Sequence, residues 1–388
     1  MFIVLPFYLV SSQVLSNFYV CLAALQLMAT ISGFGIGEEI NNKKRVEYSL
    51  EDLKIKIHNS WLRSYRFTLL IIVLNLIYGI YFDIWREILI FSIIGTIISY
   101  TKNLSLAYQK FGNIKFTTLW GNGFSTFVYL LLVVFLLATQ NVFFSGLCTL
   151  LISFFSIIFY IFSIHGKIDE ESISFNNYDY LIISFLAWLL NLGFTFVMKF
   201  YSSPLEINKY VIAMQFLGAF TFLPTSLFQA MNSRLNSTED ISENKMRIIS
   251  FNSLVFVILF TIIVGNLLFN RIDLNYFSGF NFENFQSAFI CAGLIAIGMT
   301  GYYSILLVIY QRGCSNSLRN VVLLVDTFSF FFSVYLLKEF NITVVLFCMS
   351  LSYFFKVLLL NFKNKVSISY FWVISYISSF LISLKLIM

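Results

Sequence analysis

Residues 285–310 read FQSAFICAGLIAIGMTGYYSILLVIY, a run of 26 residues without a charged side chain. An apolar run of roughly 18 residues or more can cross the hydrocarbon core of a bilayer, about 30 Å thick, as a helix. Such runs recur along the whole chain and predict an all-α polytopic membrane protein. They cover 18–37, 66–82, 87–107, 117–138, 142–165, 179–200, 207–230, 248–269, 285–310, 319–338, 341–361 and 368–387, with a shorter run at 2–13.

The composition excludes an ordinary soluble domain. Of the 388 residues, 59% are hydrophobic and 11% are charged, whereas soluble domains carry about 25% charged residues. The five cysteines stand singly without CxxC spacing, and the two histidines, His58 and His165, lie far apart. We therefore expect no disulfide framework, metal site or cofactor, and no enzymatic activity. The N-terminus lacks a basic region, so we interpret it as part of a span and not as a cleavable signal.

The basic residues predict the orientation of the spans. If the loop after residues 18–37 is cytoplasmic, the inside holds 19 of the 25 Lys and Arg residues, as the positive-inside rule requires. The outside holds the other six, Arg86, Lys199, Lys209, Arg271, Lys338 and Lys385. This asymmetry explains the net charge of +6 without a nucleic-acid partner. The loop at 41–65 has apolar residues at helical spacing and is expected to form an amphipathic helix on the membrane surface.

Three pairs of similar segments indicate an internal repeat. SSQVLSNFYV at 11–20 aligns with SSPLEINKYV at 202–211, and YQKFG at 108–112 aligns with YQRG at 310–313. NVFFSGLCTLLISFF at 141–155 aligns with NITVVLFCMSLSYFF at 341–355. The pairs follow the same order at a near-constant offset of about 200 residues. They predict two six-helix bundles related as parallel repeats, an arrangement found in many transporters.

The repeat defines the predicted domains. The N-terminal bundle covers 1–165, a cytoplasmic linker covers 166–178, and the C-terminal bundle covers 179–361. Residues 362–388 form an additional helix, and the short run at 2–13 is a truncated first helix. Gly33 and Pro224 occupy equivalent places in the two halves, and both residue types can loosen a helix. We expect them to act as hinges, although membrane helices also tolerate Gly and Pro without such a role.

Three stretches of the chain form a family pattern. They are LPFYLVSSQVLSNFYV and GFGIG near the N-terminus, YQKFGNIK at 108–115, and above all FVMKFYSSPLEINKYVIAMQFLGAFTFLPTSLFQAMNSRL at 196–235. In these stretches, and over nearly its whole length, the sequence resembles a Wzx-type flippase of the multidrug/oligosaccharidyl-lipid/polysaccharide exporter superfamily, to which the MATE exporters also belong. Members often carry an acidic residue in the middle of the seventh helix, where this chain has Gly193-Phe194-Thr195-Phe196. No ion-coupling role is therefore carried over to that helix.

The resemblance implies a twelve-helix core with a central cavity that opens alternately to each side of a bacterial inner membrane. It also implies a substrate, an undecaprenyl-diphosphate-linked oligosaccharide repeat unit, moved to the periplasmic leaflet for O-antigen or capsule synthesis. A polysaccharide polymerase and a chain-length regulator are the possible protein partners. A small-molecule exporter of the same superfamily is the alternative, followed by a polysaccharide polymerase. The absence of a long outer loop in the sequence disfavours the polymerase.

Ionisable residues inside spans are the candidate functional groups, because each costs about 2.5–3.5 kcal/mol at the centre of a membrane helix. Asp326 lies seven residues into its span, about 10 Å from the cytoplasmic end. It is a candidate coupling group for protons or cations, or the structural partner of a cation. Basic residues near span ends are candidates for binding the substrate diphosphate, although long side chains at these places also snorkel to the interface. They are Lys102, Lys199, Lys356, Arg66, Arg234 and Arg247.

Overall fold

The computed structural model describes residues 9–32, 50–110, 123–161, 178–234, 241–269, 282–312, 315–364 and 369–387. These residues form helices joined by short connections, and they contain no strand. The helices are α1 (Ser12–Ile31), α2 (Leu50–Tyr81), α3 (Trp85–Lys110), α4 (Phe124–Thr139), α5 (Val142–Ile161), α6 (Tyr178–Leu190), α7 (Phe194–Tyr201), α8 (Pro204–Arg234), α9 (Ile241–Phe269), α10 (Phe282–Arg312), α11 (Ser315–Glu339), α12 (Ile342–Asn364) and α13 (Tyr370–Ile387).

The length and composition of these helices confirm the prediction of a multi-pass helical membrane protein. Within the described ranges, nine apolar stretches are long enough to cross a membrane, and shorter apolar helices occur at 124–139, 142–154 and 370–381. The chain divides into two compact units, Met1–Phe196 and Val197–Met388. The division groups α6 with the first unit, whereas the repeat assigned residues 179–361 to the second bundle. The repeat-based boundaries remain a prediction.

In the first unit, α3 is the central helix. It packs most extensively against α1, then against α2 and α5, while α4 packs on α5 and α6 packs on α1. In the apolar stretch of α3, 78% of the residues are buried, compared with 22% in the stretch of α2. Gly95 permits the close contact between α1 and α3, because a Cβ atom at this position would overlap the carbonyl group of Leu25.

In the second unit, α10 is the central helix. It packs most extensively against α8, then against α12 and α9, while α11 packs on α12. α13 packs against α10 and α9. In the apolar stretch of α10, 83% of the residues are buried, compared with 17% in the stretch of α9. The apolar side chains that α9 exposes, such as Phe256 and Phe260, suit a lipid-facing helix, because lipid does not penalise exposed apolar surface.

Each unit has an α-helical hairpin with the same turn. Asn141 precedes α5, and its Oδ1 atom accepts a hydrogen bond from the N–H of Phe144 at 3.3 Å. Asn341 precedes α12, and its Oδ1 atom accepts from the N–H of Val344 at 3.2 Å. The residue before each asparagine also makes the same backbone hydrogen bond. The N–H of Gln140 donates to the carbonyl of Leu136, and that of Phe340 to the carbonyl of Leu336, both at 2.8 Å. Both asparagines therefore satisfy a backbone donor at the start of a helix, which is the usual function of an N-cap residue.

An additional helix docks on each unit through a tryptophan. In the first unit, the indole N–H of Trp188 on α6 donates to the carbonyl of Ala23 on α1 at 3.0 Å. In the second unit, the indole N–H of Trp372 on α13 donates to the carbonyl of Ile297 on α10 at 2.8 Å. Gly301 makes room for this second indole, since a Cβ atom there would overlap the ring. Each helix is thus fixed to its bundle by a large buried ring with one satisfied polar group.

Two predicted elements differ from the structure. The amphipathic segment expected at 41–65 is continuous with the next span from residue 50 onward, because α2 runs unbroken to Tyr81. The segment predicted as one helix at 179–200 is interrupted at 191–193. At the interruption, the side chains of Asn191 and Thr195 donate to the carbonyls of Ala187 and Leu192. Tyr78 Oη donates to a further carbonyl, that of Phe196, at 3.0 Å, so side chains occupy carbonyl groups around the break.

Candidate functional site: a buried ion pair in the second unit

Asp326 and Lys356 form a buried ion pair between α11 and α12. The Nζ atom of Lys356 lies 2.8 Å from Oδ1 of Asp326, and the two side chains are 3% and 1% exposed, respectively. The residues are 30 positions apart in sequence and belong to the two arms of the second hairpin. The structure therefore brings together the predicted coupling residue and one predicted substrate-binding lysine. Because Lys356 is buried and paired, its side chain does not snorkel to the interface.

Two tyrosine rings complete the surroundings of the Lys356 ammonium group. The Nζ atom lies 3.9 Å from the ring centroid of Tyr353, one turn earlier on α12, and 5.2 Å from that of Tyr302 on α10. The two rings meet edge to face, with centroids 6.1 Å apart. Both distances from the ammonium to the rings lie within the range of cation–π attraction, about 6 Å. The site therefore consists of one cation, one carboxylate and two ring faces contributed by three helices.

Gly298 allows α10 and α12 to meet closely at this place. A Cβ atom on Gly298 would lie 2.8 Å from Cβ of Tyr353 and 3.8 Å from the carbonyl oxygen of Ser350. Only a residue without a side chain therefore lets α12 approach α10 so closely. Gly298 lies one helical turn before Tyr302, so the close approach directly positions both rings around Lys356.

The charges of Asp326 and Lys356 are stable in this environment only together. Removing water from a single charge costs several kcal/mol, and the attraction of the partner offsets that cost when the geometry is good. Loss of either partner leaves an uncompensated buried charge, with a cost of about 3–5 kcal/mol. The two side chains can therefore separate only when another charge pairs with the one left behind, or when a proton neutralises Asp326.

The other predicted binding residues do not join this site. Lys102 on α3 is exposed and Lys199 on α7 is half-buried. Arg66 is exposed and donates to the hydroxyl group of its neighbour Tyr65 at 3.0 Å. These side chains lie in the first unit or near the division between the units. Their contacts with a diphosphate stay a prediction.

The two remaining arginines lie on either side of the connection between α8 and α9, Arg234 at the end of α8 and Arg247 within α9. Arg234 is the last residue of α8, and the structure does not describe its side chain. Arg247 on α9 is buried, and its guanidinium group donates to the carbonyl of Ser304 on α10 at 2.6 Å. This contact fixes α9 to α10, so Arg247 has a packing role whatever else it binds.

Of the two predicted hinge residues, only Pro224 lies within the described part of the chain. Gly33 lies outside the described residues. Pro224 lies inside α8, which continues through it for ten further residues. It borders an apolar cavity of about 220 Å³ between α8, α9 and α10, lined by Phe216, Phe220, Leu254 and Phe289 among others. A proline removes one backbone hydrogen bond and clashes with the preceding turn, and here that turn contains Phe220 at the cavity wall. Its action as a hinge stays a prediction.

Two parts of the arrangement were not found from the sequence. Tyr302 and Tyr353 are two of 22 tyrosines, and neither has a distinctive neighbourhood in sequence. The interruption of the helix at 191–193 was also missed, because Asn-Leu-Gly within an apolar run is compatible with a continuous membrane helix. A signal for the contact with Tyr353 was its spacing from Lys356, because residues three apart lie on the same face of one helix.

The chain was compared with known proteins. No family model matches it, and neither the curated proteins nor the solved structures include a significant match.

Proposed function

We propose that this protein is a flippase that moves undecaprenyl-diphosphate-linked oligosaccharide repeat units from the cytoplasmic to the periplasmic leaflet of a bacterial inner membrane. Transport proceeds by alternating access between two parallel helical repeats. The substrate class comes from the sequence resemblance, and the repeat architecture is supported by the internal packing of each unit. The protein has no enzymatic role in this proposal.

The observation that carries the proposal is the common packing pattern of the two units. The five helices α1 to α5 correspond in order to α8 to α12. Each pair of helices that packs together in the first set has a counterpart that packs together in the second. The central helix, the exposed second helix and the asparagine-capped hairpin all recur. Parallel repeats of this kind are typical of transporters that hold a substrate between two halves.

The ion pair supports the flippase over an exporter of toxic cations. An exporter of cations needs an acidic group that is available to the substrate. In the described part of the chain, Asp326 is the acid that lies deep within an apolar stretch, and Lys356 already neutralises it. Lysines near the span ends, such as Lys102 and Lys199, instead suit an anionic substrate such as a diphosphate.

A complementation experiment tests the function. The gene is deleted in a strain that makes a surface polysaccharide, and undecaprenyl-linked intermediates are identified by mass spectrometry. We expect complete single repeat units to accumulate facing the cytoplasm and to disappear when the gene is restored. A deletion of the polymerase gene is the matched control, because it leaves single units facing the periplasm.

Two results contradict the proposal. If the deletion strain delivers single units to the periplasm but does not extend them, the protein is a polymerase. If the lipid-linked intermediates are unchanged but the strain loses resistance to toxic cations, the protein is a small-molecule exporter. The leaflet is determined from the access of a periplasmic glycosidase to the units in intact spheroplasts.

A further inference from the structure

We propose that the Lys356 ammonium group is the tethered occupant of a monovalent cation site formed by Asp326, Tyr302 and Tyr353. The site fits a primary ammonium ion, and the protein fills it with its own side chain. This inference goes beyond the transport function, since it concerns what the second unit binds and not what the protein moves.

The first argument is the shape of the site. One carboxylate oxygen contacts the ammonium at 2.8 Å, and two ring faces lie 3.9 and 5.2 Å from it. Proteins bind free ammonium ligands on aromatic ring faces, and a carboxylate adds the attraction of an opposite charge. The rings attract the cation through their quadrupoles and do not need a donor at a fixed angle. An ammonium group without a covalent tether therefore satisfies the same contacts.

The second argument is the charge of the site. Within the described residues, the interactions of Lys356 are those with Asp326 and the two tyrosine rings. One positive and one negative charge neutralise each other, and the rings are neutral. A site with this composition needs one monovalent cation and does not accommodate two. The side chain of Lys356 supplies that cation, so the wild-type protein requires none from solution.

The third argument is the burial and close packing of the walls. Tyr353 lies close against Gly298, and Tyr302, Tyr353, Asp326 and Lys356 are all buried. The walls come from α10, α11 and α12, which pack on one another. Shortening Lys356 therefore leaves an ammonium-shaped space between preformed walls. An external cation can enter only when the lysine is removed or withdraws.

The experiment uses the full-length protein in nanodiscs and the substitution Lys356→Ala, which removes three carbons and the ammonium nitrogen. The probe is n-propylammonium, which supplies those atoms, and n-propanol is the neutral control of similar size. The readout is the rate at which a maleimide labels Cys291 on α10, quantified by mass spectrometry of the labelled peptide. Cys291 is fully buried, so its labelling reports on opening of the second unit.

We expect Cys291 to label faster in Lys356→Ala than in wild type. Propylammonium at ten times its Kd should lower that rate about tenfold, because a ligand stabilises the closed state by a factor of 1 + [L]/Kd. Propanol should have no such effect. Wild type should not respond to propylammonium, because its site is filled. The double variant Asp326→Asn with Lys356→Ala should not respond either, because its site has lost the carboxylate.

Four outcomes overturn the proposal. The first is a saturable response of wild-type protein to propylammonium, and the second is equal responses of the single and double variants. The third is no response of a folded Lys356→Ala protein. The fourth is that Lys356→Ala does not fold even when it is solubilised with propylammonium, whether or not the double variant folds. If neither variant folds, Lys356 has a packing role alone.

Discussion

The two units share a pattern of helix packing but differ in what their hairpins bury. In the second unit, α11 and α12 bury the pair of Asp326 and Lys356. At the positions 200 residues earlier, the first unit has Thr126 and Ser156, and Thr126 is exposed. Both hairpins nonetheless have the same asparagine cap. The two hairpins therefore share their packing and capping, whereas the ion pair at this place belongs to the second unit alone.

The ion pair is therefore not part of what the two units have in common. A buried ion pair often stabilises no more than an apolar pair of similar volume, and the first unit packs without one at the corresponding place. Cys21 in the first unit and Cys291 in the second are both fully buried. Thiol labelling of each cysteine in the same sample therefore measures the opening of each unit separately, which allows the comparison to be tested.

The greatest loss of stability should follow substitution of one member of the ion pair. Asp326→Asn or Lys356→Met alone should destabilise the second unit by about 3–5 kcal/mol, because each leaves one buried charge uncompensated. The double variant should lie close to wild type. Cys291 labelling should rise strongly in the single variants, with Cys21 labelling unchanged. A double variant as unstable as the single variants would mean that the pair is essential to the fold of its unit.

The next effect is on the close contacts of the two central helices. Gly95→Ala and Gly298→Ala should each cost about 1–3 kcal/mol through overpacking. Gly95→Ala should cost more, because its new methyl group meets the backbone of Leu25 and not a side chain. Thermal unfolding in nanodiscs with labelling of Cys21 and Cys291 gives both values. If neither substitution lowers stability, the helices separate more easily than their packing indicates.

A smaller effect is expected where the additional helices dock. Trp188→Phe and Trp372→Phe each remove one buried hydrogen bond to a helical carbonyl, worth about 1 kcal/mol. Trp372 also stacks on Phe354 and Tyr376, with centroids 5.8 and 5.7 Å away. A phenylalanine preserves much of that stacking, so the two losses should be similar. A much greater loss for Trp372→Phe, measured by the same labelling, would show that the size of the indole determines docking there.

Removal of the two asparagine caps should give the smallest difference in stability between the units. Asn141→Ala and Asn341→Ala should each destabilise their unit by about 1 kcal/mol, because each removes an N-cap acceptor. The two values should agree within about 0.5 kcal/mol, since the hydrogen bonds have nearly the same length. Asn141→Ser and Asn341→Ser are the matched controls that preserve capping. A large effect in one unit alone would contradict the equivalence of the hairpins.

The sequence predicted the class of fold because each span carries its own signal in its length and apolar character. It also identified Asp326, since a charge within an apolar run is visible without a structure. It did not predict that Lys356 is the partner, because pairing across 30 residues depends on how two helices pack. The interruption at 191–193 was missed for a related reason. The side chains of Asn191 and Tyr78 that contribute hydrogen bonds there are unremarkable until the chain is folded.

The docking of α13 has a consequence for the order in which the protein is made. Domains of a growing chain tend to fold as they are synthesised, from the N-terminus onward. The helices α1 to α6 of the first unit are complete once the ribosome has passed Leu190. The second unit must wait for residues 370–387, because Trp372 fills the space beside Gly301 and bonds the carbonyl of Ile297. Until then, α10 lacks the side chain that fills the space beside Gly301, and the apolar face on which α13 docks stays uncovered.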